Sequence, residues 1–254
     1  MPLRDHFHRP LSDDTPWSVF HAHWSVRLAE QFNGNRPSEK YKAQAARHFG
    51  AQVEADVSAL QRRDRGTLFD IVGDVEGGGV ATASKVYSPP AALISADVEF
   101  DDPDIFEVKI FRGGGGWELV AAIELVSEGN KDGEDTRRAF VVKCASYLQK
   151  GVSLVVIDAV TTYSANLHDE LCDLIGPGAE ALRWTSPSGL SVVVYRATRL
   201  KAPASPPLKL DVFPYPIGLG EKLPTVPLWL AYDLAVPLEL ETTYQQACAS
   251  LLIG

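Results

Sequence analysis

Residues 117–160 read WELVAAIELVSEGNKDGEDTRRAFVVKCASYLQKGVSLVVIDAV, and this stretch decides the fold. Leu119 to Val126 is an apolar run broken only by Glu124, a strand with a carboxylate that burial makes costly without a partner. Asn130, Asp132 and Gly133 supply turn and helix-start chemistry, and Asp132, Glu134 and Asp135 suit the positive end of a helix dipole. Phe140, Cys144, Tyr147 and Leu148 then recur at helical spacing, so a helix is expected over residues 132–150, ended by Gly151. Lys143 lies inside that apolar stripe, three residues after Phe140 and four before Tyr147, which turns its ammonium towards the sheet and makes it the partner expected for Glu124. Ser153 to Val160 is almost wholly apolar, the pattern of a strand covered on both faces in an α/β unit with a right-handed crossover.

Outward from this unit, Trp17, Phe20, Trp24, Leu28 and Phe32 mark a helix that buries one face and stops near Gly34 and Pro37. His21 and Glu30 fall off its stripe, as residues lining a cleft or as plain surface. Residues 2–16, polar and turn-rich, read as an arm on the surface. A zinc reading of His21 and His23 fails, because residues two apart on a helix are rotated by about 200°. His6 and His8 offer two ligands only, a weak signal. Residues 51–60 alternate as a strand carrying Asp56, a second anomalous carboxylate. Residues 61–104 are rich in Gly, Pro, Ser and Asp and read as an insertion with one short strand near Val80 to Val86. Strands at residues 106–112 and 117–126 are joined by Gly113 to Gly116 as a hairpin, a glycine run without the ending of a phosphate loop. Downstream, a helix is expected at residues 166–175, a strand at 190–199, a proline-rich wrap at 203–237 and a closing helix at 240–252.

The chain has 254 residues, 45% hydrophobic, enough to bury one full core, and reads as a single domain with residues 161–254 as an extension packed on it. No apolar run suits a membrane span or a secretory leader, so a cytoplasmic protein without a membrane partner is expected. Cys144, Cys172 and Cys248 are widely spaced and lack a CxxC pattern, which speaks against a disulfide framework or zinc ribbon. The net charge of −9 is local: residues 67–136 hold 4 basic and 15 acidic residues. That leaves Arg62, Arg63, Arg65, Arg137 and Arg138 either as a basic groove for nucleic acid or as solvated surface. No GxSxG elbow supports a serine hydrolase.

The order helix, strand, strand, strand, helix, strand, with Glu-Ala-Asp-Val at 54–57, Ile-Glu-Leu-Val-Ser at 123–127, Asn130-Lys131, Lys143, and Gly151-Val152 leading into an Ile157-Asp158 strand, resembles the restriction-endonuclease-like PD-(D/E)xK superfamily. It is similar in particular to two uncharacterised bacterial branches, with an IE(V/L)xS strand and a helix lysine eight residues before Gly-Val. The resemblance covers residues 17–160. It implies an α/β fold, a restriction-endonuclease-like mixed central sheet flanked by helices, with a proline-rich C-terminal extension. It also implies metal-dependent phosphodiester hydrolysis, with Asp56 and Glu124 holding one or two Mg²⁺ or Mn²⁺, nucleic acid as partner, and room for a homodimer. Ala55 stands where the family has proline, and Val126 where it has the lysine of the xK pair, so Lys143 is the migrated substitute and Lys131 the reserve. His21, Glu30, Ser127 and Asn130 complete the implied site. Beside it stand two other readings, a Glu124–Lys143 ion pair without catalysis and a binding or scaffolding module that keeps the fold.

Overall fold

The computed structural model describes residues 1–45, 57–62, 88–98, 117–199 and 208–254. In chain order these form α1 (Leu11–Asp14), α2 (Trp17–Asn35), β1 (Tyr41–Ala45), β2 (Val57–Arg62), β3 (Ile94–Val98), β4 (Trp117–Leu125), α3 (Glu128–Lys131), α4 (Glu134–Gln149), β5 (Ser153–Asp158), α5 (Leu167–Ile175), β6 (Leu190–Arg199), β7 (Leu208–Ile217), β8 (Thr225–Ala231), β9 (Leu234–Glu239) and α6 (Leu240–Ser250). The expected strands at residues 80–86 and 106–112, the Gly113 to Gly116 turn, and Asp56, Arg63 and Arg65 lie outside the described residues.

The described strands make a mixed sheet in the order β1-β2-β4-β5-β6-β7-β3, with β8 and β9 as a separate hairpin. Only β4 and β5 among these pairs run parallel, as the α4 crossover between them requires. Both are therefore interior strands and need apolar residues on both faces. Alternation sorts them: Ala121, Ile123, Leu125, Val155 and Ile157 meet the α2 stripe of Trp17, Phe20, Trp24, Leu28 and Phe32. Ala122, Val126, Leu154 and Val156 meet Phe140, Val141, Cys144 and Leu148 of α4 and Leu167 and Leu171 of α5. The central mixed sheet is thus flanked by helices on both faces, with the Glu124 strand inside it.

Helix ends follow local chemistry. Gly151 has φ +77°, open to glycine without strain, and lets Val152 N–H reach Tyr147 O at 2.9 Å while its own N–H reaches Leu148 O at 2.8 Å. At the other end of the unit, α3 is a separate turn that leaves α4 to start after Gly133.

Three regions differ from the sequence expectation. Residues 190–217 extend the central sheet as β6 and β7 and are not an appended layer. Prolines in the expected wrap are strand residues: Pro214 and Pro216 pair with Val193 and Ser191, beyond the part of β7 that β3 covers, so among the described residues no strand on that side misses their N–H. The arm before α2 is not a surface layer, because Leu3 and His6 are 2% and 1% exposed. Leu3 exchanges backbone bonds with the 220–221 turn, and His6 stacks on Phe20 with ring centroids 3.9 Å apart.

Candidate functional site

Glu124 and Asp158 leave the sheet on the same side, the one covered by α4, because each shares its strand's parity with the residues of that core. Glu124 lies opposite Val156, so Asp158 is the next residue of that face beyond it, at the carboxyl end of the parallel pair. Neither is left as a bare charge. Lys143 reaches from α4 to Glu124, Nζ to Oε2 2.7 Å, and Lys131 from α3 to Asp158, Nζ to Oδ2 2.8 Å. The pairs differ in access: the Lys143 side chain keeps 16% of its surface open, the Lys131 side chain none. Burial pushes the Asp158 carboxyl above the usual carboxylate range, against the pull of Lys131 and of the Val160 N–H on Oδ1. Burial, and then the Glu124 charge, pushes the Cys144 thiol up, which keeps it an inert packed thiol beside the pair.

The remaining expected site residues divide. Ser127 and Asn130 build the turn that follows β4, with Asn130 Oδ1 accepting from Ser127 N–H and Oγ–H at 2.9 Å each. Glu128 ties the same turn to the loop after β5 by accepting from Thr162 Oγ1 at 2.7 Å. His21 and Glu30 sit on α2, across the sheet from Glu124; the His21 ring stacks on Trp17 and Glu30 pairs with Arg27 at 2.7 Å. They are not brought to the carboxylates. Asp56 lies outside the described residues; its neighbour Val57 pairs with Ile123, the neighbour of Glu124. Asp158 enters the sequence reading only as the end of the Ile157-Asp158 strand, with no site role. Its signal was there, a carboxylate closing a wholly apolar strand, but Lys131 becomes its partner only through the turn at residues 127–131.

Other apparent constellations dissolve on geometry. His168 Nε2 lies 2.8 Å from Leu182 O and so must donate, which leaves Nδ1 to accept from Tyr195 O–H at 2.7 Å. Burial holds this ring below the ordinary histidine range, hence neutral. Cys172, 3.9 Å from it, has its thiol pushed up to about 12 by burial, so the two make no thiolate nucleophile. His6 bonds Tyr244 at 2.8 Å and His8 bonds Asp5 at 2.8 Å, in separate places. Arg137 is paired with Glu170 at 2.7 Å, in a groove that also holds Glu134 and Asp173 beside Arg138.

The oxygen ligands expected here suit Mg²⁺ or Mn²⁺ in kind. Among the described residues, however, no group of three or more His, Cys, Asp or Glu side chains could hold a metal ion. Glu124 supplies one carboxylate, so the fit rests on Asp56. Among the described residues no helix is long and apolar enough to cross a membrane.

The chain matches no family model, no curated protein and no solved structure.

Proposed function

We propose that the chain is a metal-dependent nuclease whose working centre is Glu124, Lys143 and Asp56. The observation that carries this reading is the lysine that reaches 2.7 Å across from a helix to a carboxylate buried on an interior strand, with its own side chain still open to solvent. The element order adds support in part: α2, β2, β4, α4 and β5 stand where the resemblance expects a helix, two of its three strands, a helix and a strand, while β1 and β3 are additional and the expected strand at 106–112 lies outside the described residues. Glu124 and Asp56 would hold the cation, which supplies a nucleophilic water at neutral pH and neutralises phosphate charge. Lys143 would orient the attacking water by donating a hydrogen bond to it and would face the charge that develops on the phosphate. The apolar wall of Val126, Phe140 and Cys144 keeps bulk water from that face and strengthens these interactions.

The test is cleavage of single- and double-stranded DNA and RNA with Mn²⁺. Lys143→Ala is expected to lower the rate by on the order of 10² to 10³, and Asp56→Asn to lower Mn²⁺ affinity in calorimetry. An inactive wild type that binds no Mn²⁺ ends this reading.

A second reading is a binding or scaffolding module that keeps the fold, and one observation favours it: Glu124 and Asp158 each already carry a lysine. On that reading Lys143→Ala leaves a stranded charge and lowers stability without any activity to lose.

A further inference from the structure

A cavity of about 60 Å³ opens between α4, α5 and β6, beside the carboxyl end of β5. It is independent of the nuclease reading, and Asp158, Asn166, His168, Ser186, Ser191 and Tyr195 give it a polar side against an apolar wall of Val156, Leu171 and Val193. At about 10–15 Å³ per water centre it has room for roughly four to six waters, or for the hydroxyl edge of a sugar ring. Its position outside the carboxyl end of a parallel strand is where α/β folds bind ligands.

The hydrogen-bond inventory of the wall defines what fits. Asp158 uses one position on each oxygen, for Lys131 and for Val160 N–H, and a carboxylate offers about four. Tyr195 spends its only proton on His168, so its oxygen remains an acceptor. The His168 nitrogens are both spent, one on Tyr195 and one on Leu182 O. Asn166 is spent as well: its oxygen caps the amides of His168 and Asp169, and its NH₂ faces Trp184 O. The Ser186 and Ser191 hydroxyls can donate as well as accept, Ser186 already lying 3.0 Å from Ser188 Oγ, so the fixed open positions of the wall, on Asp158 and Tyr195, are the acceptors. The wall is also uncharged, since Lys131 already neutralises Asp158. An anion meets acceptors and a carboxylate; an ammonium finds no net charge to balance its desolvation. A neutral group with several O–H donors meets both conditions, and the apolar wall takes its C–H face. Trp184, also on the lining, offers a ring for whatever the sugar carries.

From this complementarity we infer that the cavity is a binding site for the vicinal hydroxyls of a sugar, free or carried by a nucleoside. The test follows the amide resonances of residues 158–168 and 184–195 in the full chain as D-ribose, 2-deoxy-D-ribose, adenosine or methylamine is added. Ribose is expected to give saturable shifts there, and 2-deoxyribose, which lacks one of the vicinal hydroxyls, to bind at least tenfold more weakly. Adenosine binding tighter than ribose assigns the sugar to a nucleoside, and binding no tighter assigns it to a free sugar. Two variants locate the site. Ser191→Leu fills the cavity from the β6 residue in register with Asp158, and Lys131→Met with Asp158→Leu removes the Asp158 acceptors while keeping net charge. Each is expected to weaken ribose at least tenfold with an unchanged circular dichroism spectrum. Absence of shifts with ribose, equal binding by folded Ser191→Leu, or methylamine binding as tightly as ribose would overturn the assignment.

Discussion

Lys131 and Lys143 are both lysines paired to a sheet carboxylate, yet they carry different consequences because one is sealed and the other is not. Removing Lys131 alone leaves Asp158 charged and buried, so Lys131→Met is expected to cost about 3–5 kcal/mol. The double variant Lys131→Met with Asp158→Leu is expected to recover most of it, because a packed apolar pair replaces a buried ionic one at little cost. Urea unfolding of the two variants checks this, and a double variant as unstable as the single one contradicts it. His6 gives the residue scale a pH dependence. Burial, then the nearby Arg4 charge, lowers it from 6.5 to about 4, with Asp5 opposing, and Tyr244 bonds the ring from α6. The native state therefore holds fewer protons than the unfolded chain between those values, and stability falls as pH drops from about 6.5 towards 4. The loss approaches roughly 3 kcal/mol at 1.4 kcal/mol per unit. Unfolding midpoints of wild type and His6→Phe, compared at pH 7 and pH 4.5, should converge or cross as the histidine is protonated; a wild-type midpoint that does not fall more than that of the variant rules it out.

Elements divide by how much of their cause is local. Asn166 is the N-cap of α5, its oxygen accepting from His168 N–H at 3.1 Å and Asp169 N–H at 3.2 Å, so Asn166→Ala is expected to cost about 1 kcal/mol by chemical denaturation. Gly151→Ala is expected to cost a similar amount, about 1 kcal/mol, through its positive φ. Both elements were legible for the same reason that they are locally determined: periodicity inside, cap chemistry at the ends. The β6 strand was read at its observed bounds, residues 190–199, from an apolar run of β-branched residues. The YKAQA stretch of β1 was not, since five residues carry too little alternation; its Tyr41 and Ala43 are buried only because α2 lies over them. Likewise β3 came from a stretch read as insertion, and β8 and β9 from proline-rich sequence. Pro227 and Pro237 stand opposite each other in a two-stranded hairpin, where each strand has a free side to which no N–H is owed.

At the scale of the whole molecule, parity along strands and helices was enough to bring Glu124 and Lys143 together before any coordinates. Asp158 with Lys131 was not, because that pairing depends on where a short polar turn comes to rest. The arm before α2 departs from the expectation for a related reason: its buried Leu3 and His6 are single residues in polar sequence, and their cover comes in part from α6 and the 220–221 turn, far along the chain. Leu3→Ala is therefore expected to destabilise by about 2–5 kcal/mol, as for a core leucine, in thermal or urea unfolding. The same distance has a consequence during synthesis. The aromatic face of α2 is closed by α6, with Trp24 donating to Thr243 across 219 residues of chain. At about 5–20 residues per second, a ribosome needs on the order of 10 to 45 s to make that interval. For all of it Phe20 and Trp24 lack their lid, so nascent chains halted before residue 240 should be captured by a holdase chaperone and released chains of full length should not.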